Sequence, residues 1–313
     1  MTKITELKTF EGGSRSDQTI RLCALLTCFN RRDKTLACLR ALESSADRNV
    51  ELAAVLVDDG STDGTVEAVR SAFPWVMIEH GGGALFWARG MHRAFEIALE
   101  SGYDYYLWLN DDTTLDGDAV RRLLDCEKRL RLQSGAPAIV VGSTVDAGNG
   151  RLTYGGGRRV SRWRPMRFAR LDIADAPQKC DVMNGNIVLI SADAARAVGN
   201  IDPVFEHAMG DTDYALRANR LGVAVWAAAG THGTCSGNPV TGTFMDRAQP
   251  FSQRWRQMLS RKGLPWRSWL AITSKHAGVL WPIHFVWPYL RLALDGLRGA
   301  GGAHVAGGGD RRG

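Results

Sequence analysis

"YYLWLNDDT", residues 105–113, runs from five apolar and aromatic residues straight into Asn110, Asp111 and Asp112, with no turn signal between them. The first five read as a buried strand. Two adjacent carboxylates at its C-terminal end then need compensation, because burying a charge without a partner is costly. Whatever compensates them sits where the strand ends, and the flanking sequence shows what kind of sheet that is.

From Ile20 onward, short apolar runs alternate with amphipathic stretches, the pattern of a parallel sheet flanked by helices. "RLCALLTCF" (21–29) reads as a strand, and Leu36, Leu39 and Leu42 give the next stretch, about 33–45, one apolar helical side. "LAAVLVDDG" (52–60) is a second strand. Thr62 and Asp63 are N-cap types before a helix carrying Val66, Val69 and Phe73. "WVMIE" (75–79) is a third strand, and a helix over 87–100 leads into the opening one. After "AIVVGSTV" (138–145) the strands shorten, and the basic stretch "GGGRRVSRWRPMRFAR" (155–170) appears. "DVMNGNIVLIS" (181–191) returns to a buried strand, "DTDYALRANRLG" (211–222) is a helix closed by a glycine, and "VAVWAA" (223–228) is a last strand.

The expected organisation is a flexible polar leader over 1–19, an α/β domain over 20–242, a helical Trp-rich extension over 243–297 and a disordered low-complexity tail over 298–313. With 45% hydrophobic and 23% charged residues the 313-residue chain reads as globular. Its formal charge of +6 favours acidic partners without choosing among them. Cys23, Cys28, Cys38, Cys126, Cys180 and Cys235 form no CxxC pair, which argues against a structural zinc site and for reduced, cytosolic thiols.

In an open α/β sheet, ligands bind beyond the carboxyl ends of the strands. Asp58 and Asp59 end one strand there, Asn110, Asp111 and Asp112 another, and His232 follows the last. A loop Asp is often only a turn former. Two carboxylate clusters converging with an imidazole, however, repel one another without a cation, and hard oxygen ligands suit Mg²⁺ or Mn²⁺. Such an ion keeps positions open for phosphates. No GxxxxGK[ST] is present, and "TCFNRRD" follows the first strand where a dinucleotide binder would carry GxGxxG, so metal and basic side chains must hold those phosphates.

"LLTCFNRRD", "VLVDDGSTDGT", "LWLNDDT", "VMNGNIVLIS" and "GDTDYALRANRLG" stand in one order over about Arg21 to Gly237, and this ordered set resembles the family 2 glycosyltransferases of the GT-A fold, in particular bacterial rhamnosyltransferase-like members of polysaccharide assembly. The resemblance implies an inverting, metal-dependent transferase using a nucleotide-sugar, UDP- or dTDP-linked, with a glycan or lipid-linked acceptor. It places Thr27, Phe29, Asn30 and Arg31 at the donor, Asp59 on its base, Asp111 toward ribose or diphosphate and Asp112 on the metal. Asn110 replaces the first acid of the family's DxD. "HGGGALFWARGMHRAF" (80–95) resembles the segment that packs on donor sugar and diphosphate, with Gly82, Trp87 and Arg89; the structural alternative is a glycine turn before a helix with Trp87 in the core. Asp211 matches the general base, with Gly210 where a Glu is usual. Asp213 would orient the acceptor or Asp211, or would simply favour the helix N-terminus. His232 matches a histidine on metal or diphosphate, and Gly185 lets backbone approach the sugars.

In the extension, the 15 residues from His276 to Leu290 contain Pro282 and Pro288 and fall short of a ~30 Å hydrocarbon core at ~1.5 Å per residue. Trp266, Trp269, Trp281, Trp287 and Tyr289 among basic residues fit helices at a membrane surface, or a cap on the domain. The expected place is cytoplasmic, peripheral on the inner membrane face. Competing readings are a non-catalytic nucleotide-sugar binding subunit and a nucleotidyltransferase, the latter disfavoured by "TCFNRRD". Nucleic acid is not an expected partner, and a homo-oligomer is compatible with the sequence.

Overall fold

A computed structural model describes residues 19–303, with side chains to 297. Of the expected leader over 1–19 and tail over 298–313, residues 1–18 and 304–313 lie outside the described residues.

The chain begins with β1 (Ile20–Cys28), α1 (Arg32–Ser45), β2 (Val50–Asp58), α2 (Thr65–Ala72), β3 (Val76–His80), α3 (Phe86–Ser101) and β4 (Tyr105–Leu109), each within a few residues of the element expected. There follow β5 (Thr114–Leu115), α4 (Ala119–Ser134), β6 (Ala138–Val141), β7 (Thr144–Val145), β8 (Leu152–Tyr154), β9 (Gly156–Ser161), β10 (Arg164–Arg170), β11 (Gln178–Cys180), β12 (Val182–Met183), β13 (Ile187–Ser191), α5 (Ala192–Val198), α6 (Gly210–Arg220), β14 (Ala224–Ala227) and β15 (Gly233–Thr234). The extension forms α7 (Phe251–Met258), α8 (Trp266–His276) and α9 (Trp281–Ala303).

The runs 138–145 and 181–191, each read as one strand, are both split. β6 and β7 lie in different sheets, and between them Gly142 passes so close to Ile187 that a Cβ would fall 2.8 Å from its Cγ2. The N-cap of α2 is Gly64, at φ 79°, rather than Thr62 or Asp63. Asp63 instead accepts from the backbone N–H and hydroxyl of Thr65.

The main sheet has the order β11-β14-β6-β13-β4-β1-β2-β3. β13 is antiparallel to β4 and β6, β11 is antiparallel to β14, and the other strands run one way. The carboxyl ends of β1, β2, β3, β4, β6 and β14 therefore share one edge, where β13 begins. Residues 22–28 of β1 are all buried, as a strand covered on both faces requires. Alternation sends Leu22, Ala24 and Leu26 to the core under α1 and α4, and Cys23 and Leu25 to the core under α3 and α6.

The second core continues into the extension through Trp269 and Ile272 of α8. Here α8 is a cap on the domain. α9 is longer than expected, because Pro282 sits in its first turn, where a missing N–H costs little, and the helix continues through Pro288 to Ala303. At 23 residues it is ~35 Å long, so length does not keep it out of a bilayer. Among the described residues, no helix is both long and apolar enough to cross a membrane.

Candidate active site

At the shared edge the loops after β1 and β2 are tied together. Asn30 takes a left-handed conformation, φ 51°, which Asn tolerates better than most residues. Its N–H donates to Ser61 Oγ at 2.8 Å, and its Oδ1 accepts from Thr62 N at 2.8 Å. This brings the next residue, Arg31, onto the end of β4. Its Nη1 donates to Asp111 Oδ1 at 3.1 Å and Asp112 Oδ2 at 2.8 Å. One guanidinium thus faces two carboxylates. Asp111 is 6% exposed, and its Oδ2 has no partner among the described residues. Burial pushes the Asp111 carboxyl up to about 6, with Arg31 opposing and Asp112 reinforcing the shift.

Asp59, expected on a base, is 5% exposed and engaged in the protein itself. Its Oδ1 accepts from Gly83 N at 2.8 Å, and its Oδ2 accepts from Leu85 N and Phe86 N, both at 2.9 Å. It therefore fixes the glycine loop against the start of α3, leaving Gly82 with open space around its α-carbon. Thr27 is nearly buried beneath α3, where a Cβ at Gly90 would fall 2.4 Å from its Oγ1, while Phe29 is exposed. Arg89 is turned from the acidic edge toward the 201–209 loop: its Nε donates to Pro203 O at 3.0 Å and an Nη lies 3.5 Å from Glu206.

Trp87 connects the two sides of the cleft. Its indole Nε1 donates to Asn110 Oδ1 at 2.7 Å, which gives Asn110 a duty that the sequence left open. Its ring lies against Gly185, where a Cβ would come within 2.2 Å of Cζ2. Gly185 is needed there for the indole. Gly185 N in turn donates to Asp211 Oδ2 at 3.1 Å. An unbroken line of contacts thus runs from the acid pair through Asn110, Trp87 and Gly185 to Asp211.

Asp211 and Asp213 lie in the first turn of α6 but have different surroundings. Asp211 accepts from Thr212 N at 2.7 Å and from Gly185 N, with no cation on it among the described residues, and desolvation raises its carboxyl above the usual range despite those N–H groups. Asp213, expected to orient an acceptor, is fully buried. Arg217 Nε at 2.7 Å, His276 Nε2 at 2.9 Å and Lys275 Nζ at 3.4 Å surround it. Burial alone would raise this carboxyl, but His276 and Arg217 hold it below its ordinary value. Its place is between α6 and α8, away from the open cleft.

The sequence profile described as "Glycosyl transferase family 2" matches residues 23–199, more than half of the chain. The chain belongs to that family. Among solved structures, the chain matches one described as "Crystal structure of GalNAc-T7 with UDP, GalNAc and Mn2+", at 11% identity and a TM-score of 0.55, over 84% of this chain and 53% of that one. It spans about half the length of that protein and shares the GT-A fold with it. No curated protein sequence matches it significantly.

The acidic edge of the sheet suits a hard divalent cation. Asp111 Oδ2 is a buried acceptor without a donor, Asp112 adjoins it, and such ions keep most of their positions for water and phosphates. Among the described residues no three His, Cys, Asp or Glu side chains form a ligand group. Besides Arg31, Asp112 meets Cys235, whose Sγ lies 3.6 Å from Oδ1. His232 is 1% exposed with an unpartnered Nδ1, and burial first and Arg122 second lower its pKa to about 4, so it is neutral.

Two further groups near the site carry little signal in the local sequence. His207, half-buried, feels both Lys262 and Arg31, which lower its pKa further after desolvation. The turn before α8 reaches back to the start of α3: Arg261 donates to Glu206 at 2.7 Å and lies 4.4 Å over the Phe86 ring. A cavity of about 600 Å³ lined by Phe86, Glu206, Arg261, Lys262 and Trp266 results. Only the run of basic residues near 261 hinted at it.

Proposed function

We propose that this protein transfers a sugar, with inversion, from a UDP- or dTDP-sugar to a hydroxyl of a glycan or lipid-linked acceptor. The setting is bacterial cell-surface polysaccharide or glycolipid assembly, of the rhamnosyltransferase-like kind, at the inner face of the membrane. The observation that carries this reading is the line of contacts joining Asp111 and Asp112 to Asp211 across Trp87. It sets a cation-seeking edge on one side of an aromatic platform and an uncompensated carboxylate on the other. The UDP, GalNAc and Mn²⁺ bound by the structural neighbour support the choice of ligands.

In this reading Asp211 accepts the proton of the acceptor hydroxyl as its oxygen bonds to the anomeric carbon. The bond from that carbon to the diphosphate breaks, and its electron pair leaves on the diphosphate oxygen. Arg31, which already faces the acid pair, is placed to meet that growing charge. Mg²⁺ or Mn²⁺ held by Asp112, with Asp111 beside it, would neutralise the leaving diphosphate when bound. Trp87 offers the sugar an apolar face, and the cavity beside Phe86 and Arg261 is the candidate acceptor entrance.

Nucleotide release from a panel of UDP-, dTDP- and GDP-sugars tests the proposal. The expected result is release from a uridine or thymidine donor that stops when the metal is chelated. Undiminished release in chelator with every active donor rules out the metal, and no release from any donor with any acceptor leaves a binding subunit in place of an enzyme.

A further inference from the structure

α9 is apolar on two sides. Phe285 and Tyr289 face the core that α8 joins, and Leu292 is buried on the side of α7. Ile283, Val286, Trp287, Leu290, Leu294 and Leu297 recur at helical spacing on the outer side, each more than 40% exposed, and Val279 and Leu280 extend the stripe beyond its start. A surface helix normally turns a polar face outward, so this one lacks the partner its sequence is built for.

The β9–β10 hairpin, more than a hundred residues earlier, comes to the same place. Trp163 at its tip is 72% exposed, with Arg162 stacked over it at 4.9 Å. Between hairpin and helix lies a groove of about 1090 Å³, to which the two elements and the loop before α7 contribute Arg164, Arg167, Arg247 and Arg291 against a single carboxylate, Asp295. None of these four guanidiniums has a carboxylate in salt-bridge distance among the described residues. Exposed aliphatic and Trp side chains flanking unpaired arginines match the layering of a bilayer interface, with acyl boundary, ring depth and phosphate level in one surface.

We infer that the groove between the β9–β10 hairpin and α9 is a binding site for the phosphate head groups of an anionic lipid bilayer, into whose boundary Trp163 and the outer stripe of α9 insert. This deepens the membrane-surface part of the proposed function and rests on it. It adds to the extension a hairpin from within the catalytic domain, which fixes how the domain is oriented on the lipid. The charge excess selects a bilayer over an apolar protein partner, because four unpaired arginines beside the stripe would be desolvated against an uncharged surface.

Flotation of the full chain with phosphatidylcholine vesicles, with and without a quarter phosphatidylglycerol, tests this. The wild type is expected to float with the anionic vesicles, weakly with neutral ones, and less as salt rises. The exposed pair Arg164→Glu/Arg167→Glu should weaken anionic-vesicle affinity by roughly tenfold or more. Trp163→Ala should weaken it with the salt dependence retained, and nucleotide release should be unchanged in both. Wild-type affinity in the charge-reversed protein overturns the groove while leaving membrane attachment through the extension. No flotation of the wild type with either vesicle overturns both. A dimer in solution that buries α9 and abolishes vesicle binding assigns the stripe to a second copy and overturns the inference.

Discussion

The strand-end cleft and the junction of α6 with α8 both bury aspartates, and they treat the charge in opposite ways. At the cleft, Asp111 and Asp112 share one half-exposed guanidinium, and Asp211 has the N–H groups of Gly185 and Thr212 and the Thr212 hydroxyl but no cation among the described residues. At the junction, the single Asp213 is met by Arg217, His276 and Lys275. One region is short of positive charge and the other is saturated with it. In the proposed function the shortage leaves room for a cation and a diphosphate, while the saturation ties α6 to α8. Charge balance thus separates two acids in one helical turn that residue type alone cannot distinguish.

The largest expected effect comes from Asp211→Asn. It should lower transfer by roughly 10²–10⁴-fold while donor affinity stays as in the wild type. Because the carboxyl is raised, wild-type turnover should fall on acidification at a pH above the ordinary carboxylate range, as the base becomes protonated. Wild-type turnover in Asp211→Asn would remove it as the base. Asp213→Asn attacks the saturated side: removing one member of a buried ion network costs about 3–5 kcal/mol, read as a Tm lowered by roughly 10 °C. The sign follows from the depressed carboxyl. Its stabilisation is complete above the ordinary Asp value and is lost as pH falls through the lower folded value, so the gap between wild type and variant should close in acid. Unchanged melting would reduce the network to decoration. Gly185→Ala places a Cβ against Trp87 and should cost about 1–3 kcal/mol, seen mainly as a raised KM for the donor. Smallest is Asn110→Ala, which removes one hydrogen bond to the indole, about 1 kcal/mol. A larger loss, with metal affinity reduced as well, would give Asn110 a direct place at the cation.

The sheet was legible because its strands are uninterrupted apolar runs that end in acids, a pattern visible within ten residues. The family motifs placed Asp111, Asp112 and Asp211 at its edge in the same way. α4 is equally legible, since Val120, Leu123, Glu127 and Leu130 carry helical spacing and are buried as that spacing requires. The missing roles depend on distant partners. Asn110 is explained by Trp87, 23 residues away, and Asp213 by His276, 63 residues away. Cys235 meets Asp112 across 123 positions of sequence, and no local pattern marks that thiol over the other five. The extension was legible as Trp-rich and basic, but its division of labour, with α8 buried and α9 open on one side, required the packing.

The central claim, that a nucleotide-sugar diphosphate docks where Arg31 faces Asp111 and Asp112, is tested most directly by calorimetric titration of the active donor with Mn²⁺. Wild type and Asp112→Ala should be compared. The account predicts that the substitution weakens donor affinity at least about tenfold with Mn²⁺ and leaves little metal dependence. Equal affinity and equal metal dependence in the two proteins would contradict it.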